Sequence, residues 1–143
     1  MPAEPSPKRA IAFFDGQNLF HAARAAFGYS HPSFDPRSLA EAVCRGQGVD
    51  VRLALDVVRL THRRAYDVGL ISSQDQDLSE AAEEVRVIAR EQARWVKLAS
   101  AFPSSPTARN TRGINKTDWI RVDRATYCAC LDPRDYRPKA QTP

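Results

Sequence analysis

Short apolar runs alternate along this chain with amphipathic stretches at helical spacing, and that alternation restricts its fold more than any other feature. Ala10–Phe14 suits a buried strand, and Val68–Ser72, residues 95–101 and residues 119–122 give three further strand signals. Between them lie helical patterns. Residues 18–27 read as a helix stopped by Gly28. Asp35 and Pro36 punctuate the start of a second helix, which carries Leu39, Ala42 and Val43 on one face and ends at Gly46 or Gly48. Residues 51–65 form a third helix, with Leu53, Val57 and Leu60 along one side and Leu55 and Val58 widening the apolar face. Residues 78–92 are the clearest case, with Leu78, Ala81, Ala82, Val85, Ile88 and Ala89 on one face and charges opposite.

Such alternation argues for an α/β domain with a mostly parallel sheet between helical layers. One interval departs from the pattern: three helices in a row separate the first two strands. The expected sheet is therefore short of one strand, with Leu39, Val43, Leu55 and Val58 on the helices beside the gap. An uncovered edge or apolar face invites association, so the chain is expected to be either a homodimer through that region or a marginally stable monomer. Residues 103–116 read as a polar loop and residues 127–131 as one helical turn. The domain is expected over residues 9–131, between a Pro-rich, disordered arm at 1–8 and an irregular tail at 132–143.

The chain has 143 residues, 43% hydrophobic and 27% charged, in keeping with one globular domain. Its longest wholly apolar run is Ala10–Phe14, far short of a membrane span. The segment MPAEPSPKRA lacks the features of a secretory signal, so a cytoplasmic setting without membrane partners is expected. All but Lys8, Lys97, Lys116 and Lys139 of the 21 basic residues are arginine, and the net charge is +4. Guanidinium groups grip phosphate bidentately and stack on bases, so a polyanionic partner fits this balance; a codon bias toward arginine gives the same excess. Cys44, Cys128 and Cys130 have no zinc spacing and read as reduced thiols.

Acidic residues fall where strands end. Asp15 follows the first strand in FFDGQN, and Asp75 and Asp77 follow the second in LISSQDQDL. Ligands of open parallel sheets bind at the carboxyl ends of strands, so these three carboxylates belong at one edge. Asp50 opens the third helix and Asp56 lies one and a half turns later. Hard oxygen ligands of this kind suit Mg²⁺ or Mn²⁺. Taken singly, Asp50 and Asp77 also read as helix caps and Asp56 as a solvated helix position. A phosphatase of the Asp-x-Asp type is disfavoured, because no acid stands two residues after Asp15.

Three stretches in this order, FFDGQN at 13–18, GVDVRLALDVV at 48–58 and LISSQDQDL at 70–78, resemble the NYN domain, the LabA-like type of PIN-like nuclease. The resemblance runs from about Ile11 to Trp119. It implies a PIN-like three-layer α/β sandwich and a divalent-metal nuclease acting chiefly on RNA. Asp15 then matches the first acidic ligand, Asn18 the polar residue beside it, Asp50 the acid at the helix start, and Asp75 and Asp77 the acidic exit pair. Asp15, Asp50, Asp75 and Asp77 would hold Mg²⁺ or Mn²⁺, with Asn18 orienting a water or the scissile phosphate. Arg63, Arg64, Arg109, Arg112 and Lys116 are the expected phosphate contacts. The chain departs from the family pattern at Gln74 and Gln76, where small residues are usual, at Gln47, where a Lys commonly stands, and in its shortened middle segment. The alternative reading is a catalytically weak or silent nucleic-acid-binding or protein-interaction module of the same fold.

Overall fold

The computed structural model describes residues 1–29 and 50–132. Four strands, β1 (Ala10–Phe14), β2 (Val68–Ser72), β3 (Lys97–Pro103) and β4 (Asp118–Val122), form one sheet in the order β1-β2-β3-β4. Every pairing is parallel. The register sets Ala10 opposite Val68 and Phe14 opposite Ser72, then Val68 opposite Lys97, then Ala99 opposite Asp118. The helices are α1 (Gly16–Phe27), α2 (Asp50–His62), α3 (Ser79–Glu91) and α4 (Arg124–Ala129).

The period of two along each strand divides the core between two faces. Ala12, Phe14, Leu70, Ala99 and Ala101 pack under Leu19, Ala23, Ala26 and Phe27 of α1 and Tyr127 of α4. Phe13, Ile71 and Leu98 face the other way, against Leu53 and Val57 of α2 and Ala82 and Val85 of α3. The result is a three-layer α/β sandwich, as the alternation requires. The helix expected from Asp35, with Leu39 and Val43, lies outside the described residues. Among the described residues no strand pairs with the outer edge of β1.

Local chemistry explains the boundaries that differ from the sequence reading. Asp15 caps α1 by accepting the Asn18 N–H at 2.9 Å, so this helix starts at Gly16. Gly28 ends it in the left-handed conformation (φ 74°), which costs a glycine little. Asp75 accepts the Asp77 N–H and holds a 3₁₀ turn at Gln76–Leu78, which delays α3 to Ser79. Asp123 caps α4 through the Thr126 N–H at 2.8 Å and moves that helix ahead of the expected turn at 127–131. The apolar face of α2 is narrower than its sequence suggests: Leu53 and Val57 are buried, Val58 is half-buried and Leu55 is 57% exposed.

The amino edge of the sheet is fastened by a carboxylate that the sequence did not single out. Asp67, immediately before β2, is 5% exposed. It accepts the backbone N–H and the guanidinium of Arg9 and the guanidinium of Arg94. These donors, Arg9 foremost, hold its pKa at about 2. The folded value lies below the ordinary value of about 3.9, so this stabilisation is complete above that value. It is lost as pH falls from there through about 2. Asp67→Asn is expected to lower unfolding stability by about 1–2 kcal/mol at neutral pH, discounted for the exposed Arg9. Chemical denaturation as a function of pH checks this, with the gap to the wild type closing between about pH 4 and pH 2.

Candidate functional site

Parallel strands deliver their carboxyl ends to one edge, and the two central motifs meet there. The Asp15 N–H donates to the Ser72 carbonyl at 3.3 Å, tying the exit of β1 to the exit of β2. Asp15 is 3% exposed, and its Oδ2 accepts the Ser73 hydroxyl at 3.0 Å. The same Ser73 oxygen accepts the Asp75 N–H at 3.1 Å. A single hydroxyl thus links the buried carboxyl group of the first exit to the backbone of the second. Asn18, in the first turn of α1, accepts the Gln74 N–H at 3.0 Å through its Oδ1.

These contacts frame an open depression of about 330 Å³ lined by Asp15, Gln17, Asn18, His21 and Asp75. It offers two carboxylates, two amides and an imidazole. Asp75 is exposed, and its Oδ1 is engaged by the Asp77 N–H. Mg²⁺ commonly takes one or two carboxylates and keeps several waters, and Asp15 and Asp75 are the carboxylates that border the depression among the described residues. Asp77 is exposed and does not border the depression. Asp50 opens α2, and its side chain lies outside the described residues. Asp56 sits on the α2 surface between Arg52 and Arg59, each 3.9 Å away. Among the described residues no group of three or more His, Cys, Asp or Glu side chains could hold a metal ion.

The expected phosphate contacts disperse. Arg63 and Arg64 are exposed just beyond the last turn of α2, where the chain enters the amino end of β2. The five residues of β2 separate them from the acidic edge, a span of roughly 16 Å at about 3.3 Å per residue. A parallel sheet places the end of each preceding helix at the edge opposite the strand exits, so they are not neighbours of Asp15. Lys116 pairs with Glu83 of α3 at 3.2 Å, away from the depression. Arg112 donates to Asn115 at 3.1 Å, and Arg109 is exposed on the same loop.

That loop, residues 104–117, joins β3 to β4 without a helix, an unusual route between parallel neighbours. Its anchors are Gln74 and Gln76, the two residues that depart from the NYN pattern. Gln74 is 7% exposed, and its Nε2 donates to the carbonyls of Asn110 (3.2 Å) and Arg112 (2.9 Å). Gln76 donates to the Gly113 carbonyl at 2.9 Å and accepts the Asn115 N–H at 3.0 Å. Beyond them Ile114 is fully buried and donates its N–H to Ser100 Oγ at 3.0 Å. Gly113 lies so close to Ser100 and Trp119 that a side chain there would collide with both.

Sequence reasoning missed Gln17, His21, Ser73 and the anchoring role of Gln74. One signal for His21 was available, since it lies three residues after Asn18 on the same helical face. The role of Gln74 had no local signal, because its partners are more than 30 residues away.

Fold and edge together define a three-layer α/β protein with an acidic depression at the carboxyl ends of β1 and β2. No family model matches the chain, and no curated protein matches it. Among solved structures it is similar to a protein of unknown function from Vibrio parahaemolyticus RIMD 2210633. The identity is 15% and the TM-score 0.52, over 90% of this chain and 99% of that one. This likeness is one of fold.

Replacing the Gln74 side chain removes two hydrogen bonds to loop carbonyls and leaves its backbone N–H in place for Asn18. Gln74→Ala is expected to cost about 1–2 kcal/mol of stability. Amide hydrogen exchange across residues 104–117 should accelerate while that of β1 and β2 stays near wild type.

Proposed function

We propose that the chain is a ribonuclease of the NYN/PIN-like type, hydrolysing RNA phosphodiester bonds with Mg²⁺ or Mn²⁺ held at the carboxyl edge of β1 and β2. The observation that carries this reading is the shared depression of Asp15 and Asp75, flanked by Asn18, at the strand exits where the resemblance puts the family's acids. Asp15 is held by α1 and Ser73, so its carboxyl group is fixed before any ligand arrives. Asp75 is the exposed partner and meets solvent and substrate directly. Asn18 is oriented by the Gln74 N–H, which leaves its amide nitrogen for a phosphate oxygen or a water. When bound, a divalent cation supplies positive charge for the developing oxyanion and an activated water. Asp50 adds to the ligand set in this reading, Asp77 stands outside the depression, and the phosphate contacts are Arg112, whose carbonyl Gln74 holds, and Arg109 on the same loop.

The runner-up is a nucleic-acid-binding or protein-interaction module without turnover. It is favoured by the dispersal of Arg63, Arg64 and Lys116 away from the acidic edge and by the engagement of both Asp15 oxygens within the fold. A cytoplasmic setting belongs to the leading reading, and no described helix is long and apolar enough to cross a membrane. So does a homodimer formed beside exposed Leu55 and the outer edge of β1. Sedimentation equilibrium should then give twice the chain mass.

The decisive assay is cleavage of a labelled RNA with Mn²⁺, with Mg²⁺ and with EDTA. Activity should require the metal and fall by about 100-fold or more in Asp15→Asn and in Asp75→Asn. Asp15 also caps α1, so the exposed Asp75 is the cleaner test of a chemical role. In the wild type Mn²⁺ should raise the melting temperature, and Asp75→Asn should abolish that rise. Absence of both cleavage and metal stabilisation in the wild type selects the silent module.

A further inference from the structure

A second cleft opens beside the acidic depression and shares two of its residues. Asn18 and His21 line both. One wall is α1, where Ala22, Ala25 and Ala26 expose only methyl groups, and the other is Pro103 with Ala108 and Asn110 of the loop. Gln74 lies at the join. Its backbone N–H holds Asn18 and its side chain holds the Asn110 carbonyl, so one buried residue fixes both walls. The Asn110 side chain is itself fixed, accepting the Arg112 N–H at 3.2 Å. The cleft encloses about 160 Å³. Pockets for drug-sized ligands measure roughly 300 Å³ or more, so this smaller space suits one planar ring system rather than a whole nucleotide.

Its lining matches a nucleobase better than a phosphate or a sugar. Among the described residues no Lys or Arg side chain borders it, and methyl groups and a proline ring line its walls. The polar groups are side-chain amides and an imidazole, which pair with base edges and stack on base faces. We propose that this cleft receives one unpaired nucleobase of a single-stranded RNA whose backbone crosses the adjoining acidic depression. The assignment of RNA rests on the proposed function; the preference for an unpaired base rests on the cleft alone. A paired base cannot enter, because its edge and both faces are taken up within the duplex.

The test is binding without metal, which separates this inference from nuclease activity. Fluorescence anisotropy in EDTA would compare a labelled single-stranded oligoribonucleotide, the same strand in a duplex, and the strand with its bases replaced by abasic sites. The single strand should bind at least about tenfold more tightly than either comparator. Ala22→Phe fills the cleft from a half-buried helical position and should weaken single-strand binding about tenfold, with duplex binding unchanged. A thermal melt confirms that the variant is folded, and Ala25→Phe, at an exposed position, supplies the same test if it is not. Equal binding of the abasic strand, equal binding of the duplex, no binding of the single strand, or wild-type binding by the folded variant overturns the proposal. Loss of cleavage in Asp75→Asn with single-strand binding retained leaves the base cleft standing and bears only on the chemical role of Asp75.

Discussion

The buried carboxyl group of Asp15 joins the two halves of the site before any ligand is considered. Burial of such a group is unfavourable unless hydrogen bonds replace its water, and here they come from two directions. The Asn18 N–H satisfies it from the first turn of α1, and the Ser73 hydroxyl satisfies it from the end of β2. The start of α1 and the chain leaving β2 are both fastened to that one residue, and the Gln74 N–H then orients the Asn18 side chain. Under the proposed function structural and chemical demands coincide at Asp15, and a variant there disturbs the fold as well as the site. Asp75 carries no comparable structural burden beyond its 3₁₀ turn, and this separates the two carboxylates in kind as well as in exposure.

The crossover from β3 to β4 sets the second constraint. Without a helix, residues 104–117 lack a repeating backbone ladder, although Ala108 bonds Ser105 and Thr117 bonds Ile114 within the loop. Gln74 and Gln76 supply donors and an acceptor to four of these residues from the exit of β2. The loop that these two long amides hold forms a wall of the cleft beside the acids. The opposite edge is fastened by different chemistry, the ion-paired Asp67 between Arg9 and Arg94. That edge holds the strand starts together and leaves the exits open for a ligand.

The strands, the clear helix after β2 and the placement of Asp15 and Asp75 at one edge were legible because each depends on short-range pattern. Apolar runs of strand length and acids directly after them suffice when the sheet is parallel. The reach of Arg63 and Arg64 was not legible in the same way. A basic cluster is visible in sequence, but which edge of the sheet it occupies depends on the direction of α2 relative to β2. Leu55 likewise fits a widened apolar stripe by spacing, yet it lies exposed because α3 and the sheet cover only the Leu53 and Val57 side of the helix. Lys116 was read as a phosphate contact, and Glu83, more than 30 residues away, draws it elsewhere.

By itself the sequence determined the class of fold, through the alternation of two periodicities, and the edge at which chemistry is possible, through the position of acids after strands. Both are properties of neighbouring residues along the chain. Tertiary structure alone decided which acids share a depression, how Gln74 unites α1 with the distant loop, and that a second cleft of base size opens beside the first. Those outcomes depend on groups brought together from β1, β2 and the β3–β4 crossover. Their spacing in sequence carries no trace of the distances between them, because those distances are set by sheet register and by the satisfaction of buried polar groups.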